Sequence, residues 1–282
     1  MTAGRRTVFI TGCSSGIGRA AAMVMARAGY RVVATARKPD SLSELTEWAV
    51  REKLFLQTTV CDVTDDESVG QAVAFSLASF GPIEILVNNA GYGALGPIEA
   101  VAFDEARRQM DVNVFGAMRL VKAVAPEMRS AGWGRIINVS SVAGRMAIPL
   151  GGWYSASKFA LEALTDTLRL ELEPFGIQTV SILPGPVQSD FLVNVSIAGI
   201  PEHLPDRYRS WIKRIERRRD GRSFEVTADH VAHVILKAAG ARRPRTRYVI
   251  TIPARVGLAI RPFLSDRAWD WVLRRFYGLN NL

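Results

Sequence analysis

Cysteine is nearly missing from this chain: Cys13 and Cys61 are the only two in 282 residues. They have no metal-ligand spacing, so no metal is expected, and both are expected to be free thiols in a reducing cytoplasm. No uncharged apolar run is long enough to span a bilayer. The opening MTAGRRTVFITG enters a strand at once and carries no h-region of a secretory signal. Low-complexity tracts and internal repeats are absent too. An acidic surplus is also lacking, and the net charge of +9 is unevenly placed. Residues 1–199 hold 18 Lys+Arg against 19 Asp+Glu, whereas residues 200–282 hold 18 against 8. The basic third has no nucleic-acid motif and no stacking platform, so nucleic acid is not an expected partner.

What is present is a large apolar fraction, 48%, enough to fill the core of one large α/β domain. Residues 1–255 read as that domain, with a long connection at 190–224 that suggests a substrate lid. Residues 256–282 read as a basic amphipathic extension.

The most informative stretch is Asn138 to Lys158. The β-branched run Arg135 to Val139 reads as a buried strand, followed by Ser140 and Ser141, a Gly/Pro-punctuated loop, and Tyr154-Ser155-Ala156-Ser157-Lys158 opening a helix. In an open parallel sheet, ligands bind outside the carboxyl ends of the strands, so both serines point at that crevice. Tyr154 and Lys158, four apart, share one helix face. A nearby ammonium favours a phenolate, so Lys158 is expected to lower the Tyr154 pKa, and a serine hydroxyl alongside could hold a carbonyl oxygen. Taken alone, a Tyr and a Lys four apart are usually an exposed helix pair.

Earlier in the chain, strand Thr7–Ile10 runs into Gly12-Cys13-Ser14-Ser15-Gly16-Ile17-Gly18 and then an alanine-rich helix closed by Gly29. Strand, glycine turn and helix suit a dinucleotide pyrophosphate, which helix N-terminal N–H groups can bind. The second strand ends Ala36-Arg37-Lys38, where an acid would bind the ribose hydroxyls of NAD. Arg37 would grip a 2′-phosphate instead, which points to NADP(H), unless the two cations only flank a solvated turn. Asp62, beside Val63 at another strand end, is placed either to meet an adenine edge or to brace its loop. Asn88-Asn89-Ala90-Gly91 ends a further strand with small residues that let a cofactor lie close. Asn113, inside an apolar helical segment, is expected to bend its helix, as a water anchor behind the lysine or as a satisfied core amide. A strand from Gln178 to Leu183 leads to Pro184-Gly185-Pro186-Val187-Gln188-Ser189, and Tyr248–Ile252 reads as the last strand.

Together, TGCSSGIG, CDV, NNAG, VNVFG, NVSS, YSASK and PG, in that order over residues 7 to about 190, resemble the short-chain dehydrogenase/reductase family, in particular its hydroxysteroid and retinol dehydrogenase branch. The resemblance implies one Rossmann-type doubly wound domain, its seven parallel strands ordered 3-2-1-4-5-6-7 between helix layers. It implies a catalytic tetrad of Asn113, Ser141, Tyr154 and Lys158, with Ser141 chosen because the family places the serine thirteen residues before the tyrosine. It also implies Ser14 and Arg37 at the 2′-phosphate, Asp62 and Val63 at the adenine, Asn89 and Gly91 at the adenosine side, and Pro184 to Ser189 at the nicotinamide. Ser189 stands where the family usually has threonine. The expected activity is hydride transfer between NADP(H) and a lipophilic alcohol/ketone or aldehyde in a homodimer or homotetramer. The competing expectation is a non-catalytic NADPH-binding redox sensor.

Trp269, Val272, Leu273 and Phe276 follow i, i+3, i+4, i+7 in the tail, with Arg267, Arg274 and Arg275 on the other side. Three readings follow: packing on the domain or a partner, walling the substrate pocket, or lying in a membrane interface. Packing is the first expectation and membrane contact the second.

Overall fold

The inner strands are buried on both sides, and their side chains divide by alternation between two cores. In β1 (Thr7–Ile10), Val8 and Ile10 face one core and Phe9 the other. β2 (Arg31–Ala36), β4 (Ile85–Asn88) and β5 (Gly134–Val139) divide likewise. With β3 (Leu56–Val60), β6 (Ile177–Leu183) and β7 (Arg247–Val249) they form one parallel sheet in the order β3-β2-β1-β4-β5-β6-β7. The computed structural model describes residues 6–188, 205–219 and 226–279.

Helices α1 (Gly16–Arg27), α2 (Ser43–Arg51) and α8 (Ala228–Gly240) cover one face. Helices α3 (Asp66–Phe80), α5 (Gly116–Ser130) and α6 (Gly152–Leu172) cover the other. This is a single α/β Rossmann-like domain. The local chemistry agrees with the element ends. The Asp65 side chain caps α3 and the Thr227 hydroxyl caps α8. Buried Arg135 donates to the Ala238, Ala239 and Ala241 carbonyls at 2.6–2.7 Å, satisfying the C-terminal end of α8.

Two sequence expectations need correction. Tyr248–Ile252 is not one strand: β7 stops at Val249 and Ile252 opens α9 (Ile252–Ile260), because Pro253 suits a first helical turn and offers no ladder N–H. The boundary drawn at residue 255 therefore falls inside a helix. The tail packs on the domain, which was the first expectation for it. Trp269 of α10 (Asp266–Tyr277) is 9% exposed, and α9 meets it through Gly257, whose added Cβ would lie 3.8 Å from the Trp269 ring. The distortion expected at Asn113 takes the form of a π-helical turn, Asp111–Phe115, between α4 (Phe103–Met110) and α5. Such turns gather at functional sites.

Of the expected lid, α7 (Asp206–Arg219) is described, and the Tyr208 hydroxyl donates to Glu99 at 2.7 Å. Residues 189–204 and 220–225, with Ser189 among them, lie outside the described residues.

Candidate active site

The loops following β1 to β6 converge on one cavity of about 1750 Å³. Its phosphate-sized end is built from backbone. Gly12 (φ +72°) and Gly16 (φ +55°) adopt left-handed conformations open to glycine at little steric cost. Ser15 precedes α1 without capping it by its side chain, so the first N–H groups of α1 are left for an anion from the cavity. Gly12, Ser14, Ser15, Gly16 and Ile17 line this end. Gly18 does not: it packs beneath, where an added Cβ would collide with the Gly12 carbonyl and come within 2.5 Å of the Asn89 amide. Asn89 in turn donates to the Thr11 and Gly12 carbonyls at 2.9 and 3.1 Å, holding the turn against β4.

Arg37 and Lys38 line the next part of the cavity, with Val63, Asn89, Ala90 and Gly91. Asp62 does not reach it. Its carboxylate accepts from the Thr64 N–H (2.9 Å) and hydroxyl (2.7 Å), which is the loop-bracing arrangement. Burial raises its carboxyl, but the Thr64 bonds outweigh that, with Arg37 and Arg108 adding to them, and hold it below the usual range. Arg108 and Glu105, on α4, also line the cavity and escaped the sequence reading. The segment FDEARRQM is rich in charge, and periodicity alone does not tell which charges turn inward.

The reacting end is polar, with Lys158 buried and Ser141 and Tyr154 half-buried. Tyr154 and Lys158 share one face of α6, with Lys158 Nζ 5.9 Å from the Tyr154 ring centre. Ser141 Oγ accepts from the Ala143 N–H at 3.1 Å, leaving its proton for the Tyr154 oxygen, to which it is hydrogen-bonded. Ser140 is 4% exposed and its hydroxyl has no partner among the described residues, so Ser141 is the serine joined to the tyrosine. Asn113 does not line the cavity. It clamps the Tyr92 backbone at both ends, accepting from its N–H at 3.0 Å and donating to its carbonyl at 2.9 Å, and it donates to Ser157 Oγ at 3.0 Å. An added Cβ on Gly91 would stand 3.0 Å from Asn113 Oδ1 and 3.5 Å from Lys158 Nζ, so the three meet closely.

The electrostatics differ from the sequence expectation. Burial pushes the Tyr154 phenol up to about 12, with Ser141 pulling the other way. Burial also pulls the Lys158 ammonium down to about 8, partly offset by Glu162. Lys158 donates to the Val139 carbonyl at 3.0 Å instead of turning onto the phenol, and desolvation disfavours both charges. Desolvation therefore favours the neutral form of the Tyr154 phenol over the phenolate.

Pro184, Gly185 and Val187 line the same end, and an added Cβ on Gly185 would sit 2.7 Å from Thr251 Oγ1. Beyond them the cavity turns apolar, with Met146, Ile148, Ile212, Val256 and Leu273 in its wall. Trp269, Val272, Leu273 and Phe276 all line it, so the tail stripe walls the pocket. Left-handed glycines, free helix N–H groups and two cations on one cleft fit an extended nicotinamide dinucleotide.

Known proteins share this sequence pattern and this fold. The family model of the short chain dehydrogenases matches residues 6–198. A 3-ketodihydrosphingosine reductase of Bacteroides thetaiotaomicron is 34% identical, over 96% of this chain and 98% of that one. Retinol dehydrogenase 8 of Bos taurus is 39% identical (94% and 86% covered), and human 17-beta-hydroxysteroid dehydrogenase type 1 is 37% identical (88% and 78% covered). Among solved structures, a Burkholderia phymatum short-chain dehydrogenase/reductase in complex with NAD superposes with a TM-score of 0.81 at 28% identity, covering 92% of this chain and 93% of that one. An alcohol dehydrogenase of Thermococcus sibiricus complexed with 5-hydroxy-NADP does so with 0.72 at 25% identity, covering 88% and 96%. With glycine turn, Ser141, Tyr154 and Lys158 on one cleft, and with relatives matched over nearly its whole length, the chain belongs to the short-chain dehydrogenase/reductase family of oxidoreductases and resembles its hydroxysteroid and retinol dehydrogenase branch.

Proposed function

We propose that the protein reduces a lipophilic ketone or aldehyde, or oxidises the matching alcohol, with NADP(H), using Tyr154 as the acid/base. The observation that carries this reading is the Ser141–Tyr154 hydrogen bond beside buried Lys158, in the one cavity that also holds the glycine turn. When bound, the nicotinamide cofactor supplies or accepts the hydride. Ser141 turns its proton to the substrate oxygen, holding the carbonyl for attack. Tyr154, kept neutral by burial, donates its proton to that oxygen in reduction and recovers it in oxidation. Lys158, fixed by the Val139 carbonyl, holds positive charge beside the phenol as it ionises, and so favours transfer more in the transition state than at rest. Asn113 fixes the Tyr92 loop against the α6 face that carries Lys158.

NADP(H) is preferred to NAD(H) because β2 ends in Ala36 with Arg37 and Lys38 on the cavity wall, and no acid stands there to repel a 2′-phosphate. Apolar walls at the far end, and relatives named for sphingoid, retinoid and steroid chemistry, support a lipophilic substrate. Exposed Phe115, Phe159 and Leu164 on the neighbouring π-turn and α6 support self-association into a homodimer or homotetramer.

The test is NADPH oxidation, followed by absorbance, across a panel of water-soluble and long-chain ketones and aldehydes. Turnover with apolar carbonyls is expected. If NADPH binds and no carbonyl provokes its oxidation, the catalytic reading fails.

A further inference from the structure

The mouth of the cavity has an apolar rim that continues past it into solvent. Ile252, Val256 and Ile260 fall at i, i+4 and i+8 on α9, all line the cavity, and are 72%, 50% and 46% exposed. Where α9 ends, Phe263 projects at 87% exposure, the highest among the exposed large hydrophobics of the described residues. Trp271, on α10, is 60% exposed. Neither Phe263 nor Trp271 lines the cavity, so substrate packing does not account for them.

The cations are interleaved with these side chains. Residues 252–279 carry Arg255, Arg261, Arg267, Arg274 and Arg275 against Asp266 and Asp270. Arg275 lies 5.9 Å from the ring centre of exposed Trp271, whereas Arg261 packs over buried Trp269 and pairs with Asp266 at 2.6 Å. Arg267 and Arg274 are exposed. Aromatic side chains flanked by guanidinium groups suit the headgroup layer of a bilayer, where the ring meets the acyl boundary and the cation the phosphate. A surface with apolar and polybasic signals together binds such a layer more firmly than either alone.

We infer that the α9–α10 rim, through Phe263, Trp271 and the surrounding arginines, docks on an anionic lipid surface, so that the cavity opens onto the membrane and takes its carbonyl substrate from it. This deepens the proposed function and rests on its lipophilic substrate. Phe263 and Trp271 are the docking aromatics, Arg267 and Arg274 the headgroup contacts, and the α9 ridge the path inward.

The full-length protein is to be sedimented with vesicles of phosphatidylcholine alone and of phosphatidylcholine with phosphatidylglycerol, at low and high salt. Binding to the anionic vesicles alone, weakened by salt, is expected. Phe263→Ser with Trp271→Ser, and separately Arg267→Glu with Arg274→Glu, are each expected to reduce the bound fraction roughly tenfold, since binding scales with buried apolar area and with charge. Phe263→Leu with Trp271→Phe should keep most of it, which separates docking from damage to the fold. Turnover of a short water-soluble ketone should be unchanged in all of these, because none of the four side chains lines the cavity. The inference is overturned if the parent stays in the supernatant at low salt, or if both serine and glutamate variants bind as the parent does. It is overturned as well if the serine variant changes the oligomeric state without lipid, since a second copy would then be the occupant. Vesicle binding without carbonyl turnover would instead defeat the proposed function and leave docking standing.

Discussion

Arg247, at the start of the edge strand β7, reaches Glu162 one helical turn beyond Lys158, its Nε 2.8 Å from Glu162 Oε2. Glu162 is 2% exposed, and its other oxygen has no partner among the described residues. Arg247 also pairs with Asp166, so one guanidinium joins the last strand to the helix that carries the tyrosine and lysine. Removing one partner of a buried pair leaves an unpaired charge. Arg247→Met is therefore expected to cost about 2–4 kcal/mol, and Glu162→Gln, which removes the charge but keeps the shape, less. Urea midpoints would show the order; a larger loss for Glu162→Gln would contradict it.

Lys158 makes stability depend on pH. Its folded pKa of about 8 lies below its ordinary 10.5. Below pH 8 both folded and unfolded chains hold the proton, and the buried charge costs stability. Between pH 8 and 10 the folded chain releases a proton that the unfolded chain keeps, so stability rises with pH from this group. Relative to Lys158→Met, the parent should gain on the order of 2 kcal/mol over that window. Titration of Tyr154, with its folded pKa near 12, begins to matter only above it. Parallel stability curves for parent and variant would remove the depressed lysine.

Tyr154→Phe should keep NADPH affinity and lose turnover by about 10² to 10⁴-fold, the usual contribution of a positioned proton donor. Fluorescence titration with NADPH and steady-state rates separate the two. Ser141→Ala should lose turnover as well, and Ser140→Ala far less, because the Ser140 hydroxyl has no partner among the described residues. Equal losses at the two serines would reverse their assignment.

Arg37→Asp should weaken NADPH binding by about a hundredfold, since a charge-assisted contact becomes a repulsion. NADH binding should change little. Equal affinity of the parent for NADH and NADPH would show Arg37 to be a surface cation only.

Gly18→Ala should destabilise the fold by about 1–3 kcal/mol and loosen the glycine turn, because the new methyl has nowhere to go between Gly12 and Asn89. Thermal unfolding measures the first effect, and cofactor affinity the second. A parent-like melting temperature would mean that the turn can give way.

Much of this was legible in the sequence, for a physical reason. Alternating apolar runs, the helix-closing Gly29 and the four-residue spacing of Tyr154 and Lys158 are local signals, each written in neighbouring residues. They specify elements, and the right-handed crossover restricts how strands joined by helices assemble into a parallel sheet.

What tertiary structure alone decided is which of those groups meet, and in what dielectric. Spacing puts Lys158 beside Tyr154, but only packing shows that Lys158 is buried and the phenol desolvated, so the phenol rises where a neighbouring cation would lower it. Gly18 and Asp62 fit the pattern of cofactor ligands, yet close packing turns one under the loop and hydrogen bonds engage the other with Thr64. The periodicity of Trp269 to Phe276 says that one face is apolar; it does not say against what. Only the folded chain brings that face to the cavity, because the residues that complete the wall, from Met146 to Ile212, lie far away in sequence.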